Sequence, residues 1–134
     1  FLSIDKTAPG QGLEVGKKLA TLVPITKTLI VVDKDVDVLN RTEVMQAVGA
    51  RWQPYPAAEI IKEARGMPLD PSAPKRPMSS KIVIDATRQW PEEGGPAVYP
   101  ERNRDLLNKL APEAKKLVDA RWEEYMRGWK RDRG

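Results

Sequence analysis

Three carboxylates at alternate positions, Asp33, Asp35 and Asp37, form a dense run of potential chemistry in this sequence. They follow Leu29 to Val32, four apolar residues in a row with β-branched types dominant. Such a run suits a strand covered on both faces. If the strand continues to Val38, all three carboxylates point to one face. Oxygen ligands in that arrangement suit a hard divalent cation. The Asp-x-Asp-x-Asp order also suggests a calcium loop, which needs Gly at its sixth position and Glu at its twelfth. Counted from Asp33, those positions hold Val38 and Val44, so a loop of that type is excluded. A looser divalent site and a solvated strand end remain.

Other chemistries are limited by what the chain lacks. It has no cysteine, so thiolate nucleophiles, disulfides and Cys-based zinc sites are excluded. It has no histidine, which removes Ser-His-Asp arrangements, His-ligated metals and imidazole proton transfer. Gly12 and the run Gly16-Lys17-Lys18 resemble a phosphate-binding loop, but the GxxxxGK[ST] pattern is not met. The glycine spacing is wrong and Lys18 stands where Ser or Thr is needed. A plain loop before a helix is the favoured reading. The net charge is +4, and residues 101–134 hold ten basic against seven acidic side chains. Those charges alternate in sign, as on a solvated helix face, and argue against nucleic-acid binding. No apolar run approaches the ~18 residues that span a bilayer, and no secretory signal is present.

The elements that position these residues follow from periodicity and punctuation. With 134 residues the chain reads as a single domain with its own core. It starts at Phe1 rather than Met and opens at once on strand-like FLSI, which suggests a processed or excised fragment of a longer protein. Residues 1–5 read as a strand. Residues 6–12 turn, and a helix runs from Gln11 or Gly12 to about Leu22, with Leu13, Leu19, Ala20 and Val23 only loosely periodic. Residues 29–35 form the central strand. Asn40 and Glu43 have capping-box spacing and start a helix over 41–51, with Val44, Ala47 and Val48 on one face. A short strand is expected at 57–61 and a strong one at 81–85. Together these predict an α/β fold: a small three-layer domain with a mostly parallel or mixed sheet and a long C-terminal helix.

Nine of the twelve prolines lie between residues 54 and 100. The stretch EARGMPLDPSAPKRPMSS, residues 63–80, has no apolar period, and a connection of that length is usually functional or disordered. Met67 and Leu69 stand two apart within it. They either pin the loop to its own core or cap a pocket for an apolar or aromatic ligand. Residues 100–110 suit a short helix, and Pro112 suits the first turn of a long one over 112–131. Its stripe includes Trp122, Tyr125 and Trp129. Core packing and docking onto another subunit or domain are both open for these aromatics.

The order of motifs carries more information than any one of them. LSIDKTAPGQ, KTLIVVDKDVDV, EVMQAVGARWQP, ARGMPLDPSA and SKIVIDATRQWP follow one another from Leu2 to Pro91. This series resembles the C-terminal domain of the UbiD family, the prenylated-flavin-dependent decarboxylases and carboxylases. The family includes the octaprenyl-hydroxybenzoate carboxy-lyases, ferulic acid decarboxylases and phenylphosphate carboxylase subunits. The tail after Pro91 matches only as an extended final helix.

The resemblance implies a non-oxidative (de)carboxylase of aromatic or α,β-unsaturated acids, cytoplasmic and oligomeric. It implies prenylated FMN with a divalent metal (Mn) and K+ in the full-length protein, with the cofactor accepting the substrate and a glutamic acid reprotonating it after CO2 leaves. The catalytic Arg and paired Glu belong to an N-terminal flavin-binding catalytic domain, so no catalytic residue is expected in this chain and no cofactor or metal is expected on it alone. Met67 and Leu69 match two apolar residues that face the substrate ring in some members, which favours the pocket reading. A family lysine that reaches the flavin aligns with Thr21, and Lys18, one helical turn earlier, is the nearest substitute. The implied partners are the N-terminal domain, further copies of the protein and an aromatic or unsaturated acid. A non-catalytic assembly module or carboxylase subunit is the alternative. No role transfers to Asp33, Asp35 or Asp37, which become a structural strand end.

Overall fold

The computed structural model describes residues 1–101 and 103–127. The sequence reads as a single domain, and the fold divides into two compact units, Phe1–Ala97 and Val98–Gly134.

The first unit is an α/β layer structure around a four-stranded sheet. The strands are β1 (Leu2–Ile4), β2 (Thr28–Asp33), β3 (Ala58–Arg65) and β4 (Met78–Ala86). Their order is β1-β2-β4-β3. β1, β2 and β4 run parallel, and β3 pairs antiparallel with β4. The sheet is therefore mixed, with its parallel core at the three strands expected from the sequence. Helix α1 (Gln11–Leu22) and helix α2 (Arg41–Arg51) supply the outer layers.

Alternation along β2 and β4 sorts the core into two sides. Leu29 and Val83 pack with Ala20 of α1. Ile30, Val32 and Ala86 pack with Val44 and Ala47 of α2 and with Val36. Val31, Val32, Val44 and Val83 are fully buried. Helix α1 approaches the sheet through a row of small residues, Gly12, Gly16 and Ala20. A Cβ on Gly16 would stand 2.3 Å from Val83 Cγ1, and one on Gly12 would stand 2.2 Å from the Asp85 carboxyl. The two glycines of the apparent phosphate loop thus serve close helix–sheet packing.

β2 ends at Asp33, so the acidic stretch is a turn rather than a strand extension. Asp33, Asp35 and Asp37 therefore do not share one strand face. Val36, between two of them, folds into the core under α2. β3 runs four residues past the expected end at Ile61. As an edge strand it is half exposed, which lets it carry Lys62, Glu63 and Arg65. A bulge between Ile61 and Ala64 places Glu63 at φ 53°.

The second unit holds α3 (Asn103–Leu110), α4 (Pro112–Ala120) and α5 (Trp122–Met126). The single helix expected over 112–131 is interrupted at Arg121, where φ is −107° and ψ is 11°. The Arg121 N–H is shared between the carbonyls of Leu117 and Val118, a tightened last turn of α4. Among the described residues no helix is long and apolar enough to cross a membrane.

Candidate functional site

The sheet presents two polar ends. Residues that follow β1, β2 and β4 gather at one end, and the starts of β2 and β4 mark the other.

At the first end the acidic turn is occupied by arginine. Asp33 Oδ2 accepts from Arg51 Nη1 at 2.8 Å and from the Arg88 N–H at 2.9 Å. Asp35 accepts from both Arg51 terminal nitrogens at 2.9 Å and from Arg88 Nη2 at 2.7 Å. Arg51 is buried, and its fork closes the end of α2 onto the end of β2. Burial would raise the Asp35 carboxyl, but hydrogen bonds from Arg51 and Arg88 outweigh it and hold it below the usual carboxylate range. Asp37 instead accepts from the Leu39 N–H at 2.9 Å. Asn40 then caps α2, its side chain accepting from the Thr42 and Glu43 N–H groups. Among the described residues no group of three carboxylates is placed to hold a metal ion.

A second pair lies at the same end. Lys6 Nζ donates to Glu93 Oε2 at 2.6 Å, with both side chains nearly buried. It also donates to Thr87 Oγ1 at 3.1 Å and to the Arg88 carbonyl at 3.0 Å. Glu93 accepts in addition from the Gly10 N–H at 2.6 Å and the Trp90 N–H at 2.7 Å. Gly10 precedes α1 at φ 74°, a conformation glycine adopts without a Cβ penalty. Glu93 thus lies beside the residue that precedes α1, where a negative charge complements the helix dipole.

The opposite end carries a cleft of about 220 Å3. Its lining combines Ile25, Met67 and Leu69 with Lys27, Asp70 and Lys81. Met67 is half exposed and Leu69 largely exposed, so neither is sunk into the core of its own unit. Lys81 is buried at the start of β4. Its Nζ donates to the Ala20 carbonyl at 2.6 Å and the Val23 carbonyl at 3.3 Å. It therefore closes the C-terminal end of α1, where a cation complements the helix dipole. Burial pulls its ammonium below the ordinary lysine range.

Lys18 stands on the exposed side of α1 and pairs with Glu14 at 2.6 Å. Trp122 and Tyr125 are about half exposed in α5, and Arg121 lies 5.1 Å from the Tyr125 ring. Trp129 falls outside the described residues. The sequence alone assigns no role to Lys6, Lys27, Asp70, Lys81 or Glu93. Asp70 had a legible signal, since Asp-Pro-Ser is a turn in which the Asp side chain bonds two residues on. Lys81 had one too, as a charge at the start of an apolar strand. Lys6 and Glu93 are 87 positions apart, and no local pattern joins them.

Residues 1–86 match the model of the 3-octaprenyl-4-hydroxybenzoate carboxy-lyase C-terminal domain. Anhydromevalonate phosphate decarboxylase of Archaeoglobus fulgidus is 37% identical over 93 residues, which is 69% of this chain and 21% of that protein. The open form of vanillic acid decarboxylase from Sedimentibacter hydroxybenzoicus superposes with a TM-score of 0.70 at 29% identity, over 96% of this chain and 27% of that one. The UbiD-class enzyme HmfF from Pelotomaculum thermopropionicum, in complex with FMN, gives 0.65 at 28% identity, over 84% of this chain and 25% of that one. The chain spans about a quarter of the length of the relatives it matches. With the matched domain over most of the sheet unit and the same fold in these solved relatives, the chain belongs to the UbiD family, in the part corresponding to its carboxy-lyase C-terminal domain.

Proposed function

We propose that this chain is the C-terminal domain of a cytoplasmic, prenylated-flavin-dependent, non-oxidative decarboxylase or carboxylase. Its substrates are aromatic or α,β-unsaturated carboxylic acids, and this chain supplies pocket wall rather than catalytic groups. The observation that carries the reading is the cleft at the starts of β2 and β4. There Met67 and Leu69 stand exposed on a concave, largely apolar surface. Exposed apolar side chains around a concavity with a few polar groups are what a small organic ligand requires. Support comes from the relatives, whose names specify decarboxylases of vanillic acid and anhydromevalonate phosphate, and from one relative that holds FMN.

Flavin, Mn and K+ fall to the N-terminal catalytic domain in this reading, together with the Arg and paired Glu that act on the acid. Met67 and Leu69 exclude water from the acid's apolar body and limit its size. Lys18 is the residue of α1 that would contact the cofactor; its partner Glu14 is exposed. The test is made in the enzyme that contains this domain. Met67→Ala and Met67→Phe are expected to shift the ratio of kcat/KM between small and large acids in opposite directions. One methylene in an apolar pocket changes discrimination by roughly ten- to two-hundred-fold. An unaltered substrate profile in both variants would return Met67 to a loop-packing role.

A further inference from the structure

Asp70 lies in the proline-rich connection between β3 and β4, and its side chain and main chain are both engaged. The carboxylate accepts from Lys27 Nζ at 2.9 Å, from the Ser72 N–H at 3.0 Å and from Ser72 Oγ at 2.8 Å. Ser79 Oγ, at the start of β4, adds a longer contact of 3.4 Å. The Asp70 carbonyl accepts from Arg76 Nε at 3.0 Å and from the Ala73 N–H at 3.3 Å. Its own N–H donates to the Met67 carbonyl at 3.1 Å. The residue that carries the cleft's apolar side chain is thus tied by main chain to the one that carries the ion pair.

Lys27 is held just as closely from the other side. It also donates to Ser72 Oγ. Its carbonyl accepts from the Ile82 N–H at 3.0 Å. It follows Thr26, whose N–H and hydroxyl both bond to the Val23 carbonyl. That carbonyl accepts in turn from buried Lys81. Polar contacts and short stretches of main chain therefore run from β4 through the end of α1 to Lys27, across the ion pair to Asp70, and on to Met67. Hydrogen bonds from Lys27 first, then from Ser72, hold the Asp70 carboxyl below the usual range, so it stays ionised at neutral pH. The connection has no apolar period, and Met67 and Leu69 are not sunk into a core that would place them.

We infer that Asp70 and Lys27 are positioning residues of the cleft: their ion pair fastens the 66–77 connection to the strand starts and thereby sets where Met67 and Leu69 stand. The functional meaning, control of which acid the pocket accepts, rests on the pocket reading above. The positioning itself is measured without substrate, so the two can fail separately.

The experiment uses the whole 134-residue chain with 13C-labelled methionine methyls, observed by NMR together with amide exchange. Asp70→Asn keeps the shape of the side chain and removes its charge, and Lys27→Met keeps the stem and removes the ammonium. In both, the Met67 methyl resonance moves and the Ser72 and Ala73 amides exchange about tenfold faster or more, the scale expected for loss of a charge-assisted bond in a local opening. The Val83 and Ile84 amides in β4 keep their protection. Lys27→Arg retains the cation and keeps the wild-type methyl position. Should Asp70→Asn fail to fold, Lys27→Met, at an exposed side chain, decides. An unmoved Met67 methyl with unchanged exchange overturns the inference. So does an equal loss of protection in β4, or a Lys27→Arg chain that behaves like Lys27→Met.

Discussion

Glu93 binds the Lys6 ammonium, the Gly10 N–H and the Trp90 N–H with one carboxylate. Burial acts to raise its pKa, but the hydrogen bonds from Lys6, Trp90 and Gly10 outweigh that and leave it below the 4.5 of a free glutamic acid. A carboxyl depressed on folding contributes stability above its unfolded value, and that contribution is lost as pH falls towards the folded value. Histidine is absent, so no side chain with an ordinary pKa titrates between pH 5 and 8. Urea unfolding of the chain is therefore expected to give a flat stability from pH 8 to about pH 5 and a fall below about pH 4.5. Glu93→Gln should be less stable at pH 7 and show a shallower acid slope; an unchanged slope would remove Glu93 from the acid response. The sequence shows the acidic residues but not their partners. Asp33 and Asp35 are conspicuous in a row of three, yet Arg51 and Arg88, which neutralise them, lie 16 to 55 positions away. Charge that looks available for a cation in one dimension is already paired in three.

Helix α1 shows how composition can hide an interface. Gly12, Gly16 and Ala20 recur every fourth position and form its buried row, while Leu13 and Leu19 flank it. A search for large apolar residues finds only a loose period, because the contact is made by side chains that are small or missing. Helix α2 was legible down to its cap, since Asn40 and the Val44–Ala47–Val48 face follow ordinary rules. These two helices give a paired prediction. Gly16→Ala drives a methyl against Val83 and is expected to cost about 1–3 kcal/mol, as overpacking does. Asn40→Ala removes the cap and is expected to cost about 1 kcal/mol. Chemical denaturation measures both, and a Gly16→Ala chain as stable as wild type would show that α1 can stand off the sheet. The break at Arg121 is not legible in the sequence because Leu117, Val118, Trp122 and Tyr125 keep one period across it. Periodicity does not register a single residue with non-helical ψ. The edge strand β3 was cut short for the opposite reason, as its last residues are polar and partly solvated.

The two units have different characters. The sheet unit has a closed core and carries the family match, whereas α4 and α5 expose Leu117, Val118, Trp122 and Tyr125. Aromatic side chains in that setting are typical anchors of subunit interfaces, so the assembly alternative of the sequence reading is tested here. Trp122→Ala combined with Trp129→Ala is expected to lower the mass measured by light scattering; an unchanged mass would count against this part of the chain as the interface. The division of labour at the centre of the account is tested by release of CO2. The chain alone, supplied with prenylated FMN, Mn, K+ and an aromatic or unsaturated acid, should release none above buffer. The same chain fused behind the flavin-binding part of a UbiD-family decarboxylase should restore turnover. Turnover by the 134-residue chain with no added domain would contradict the account, because it would place catalytic groups among residues proposed only to build and shape the cleft.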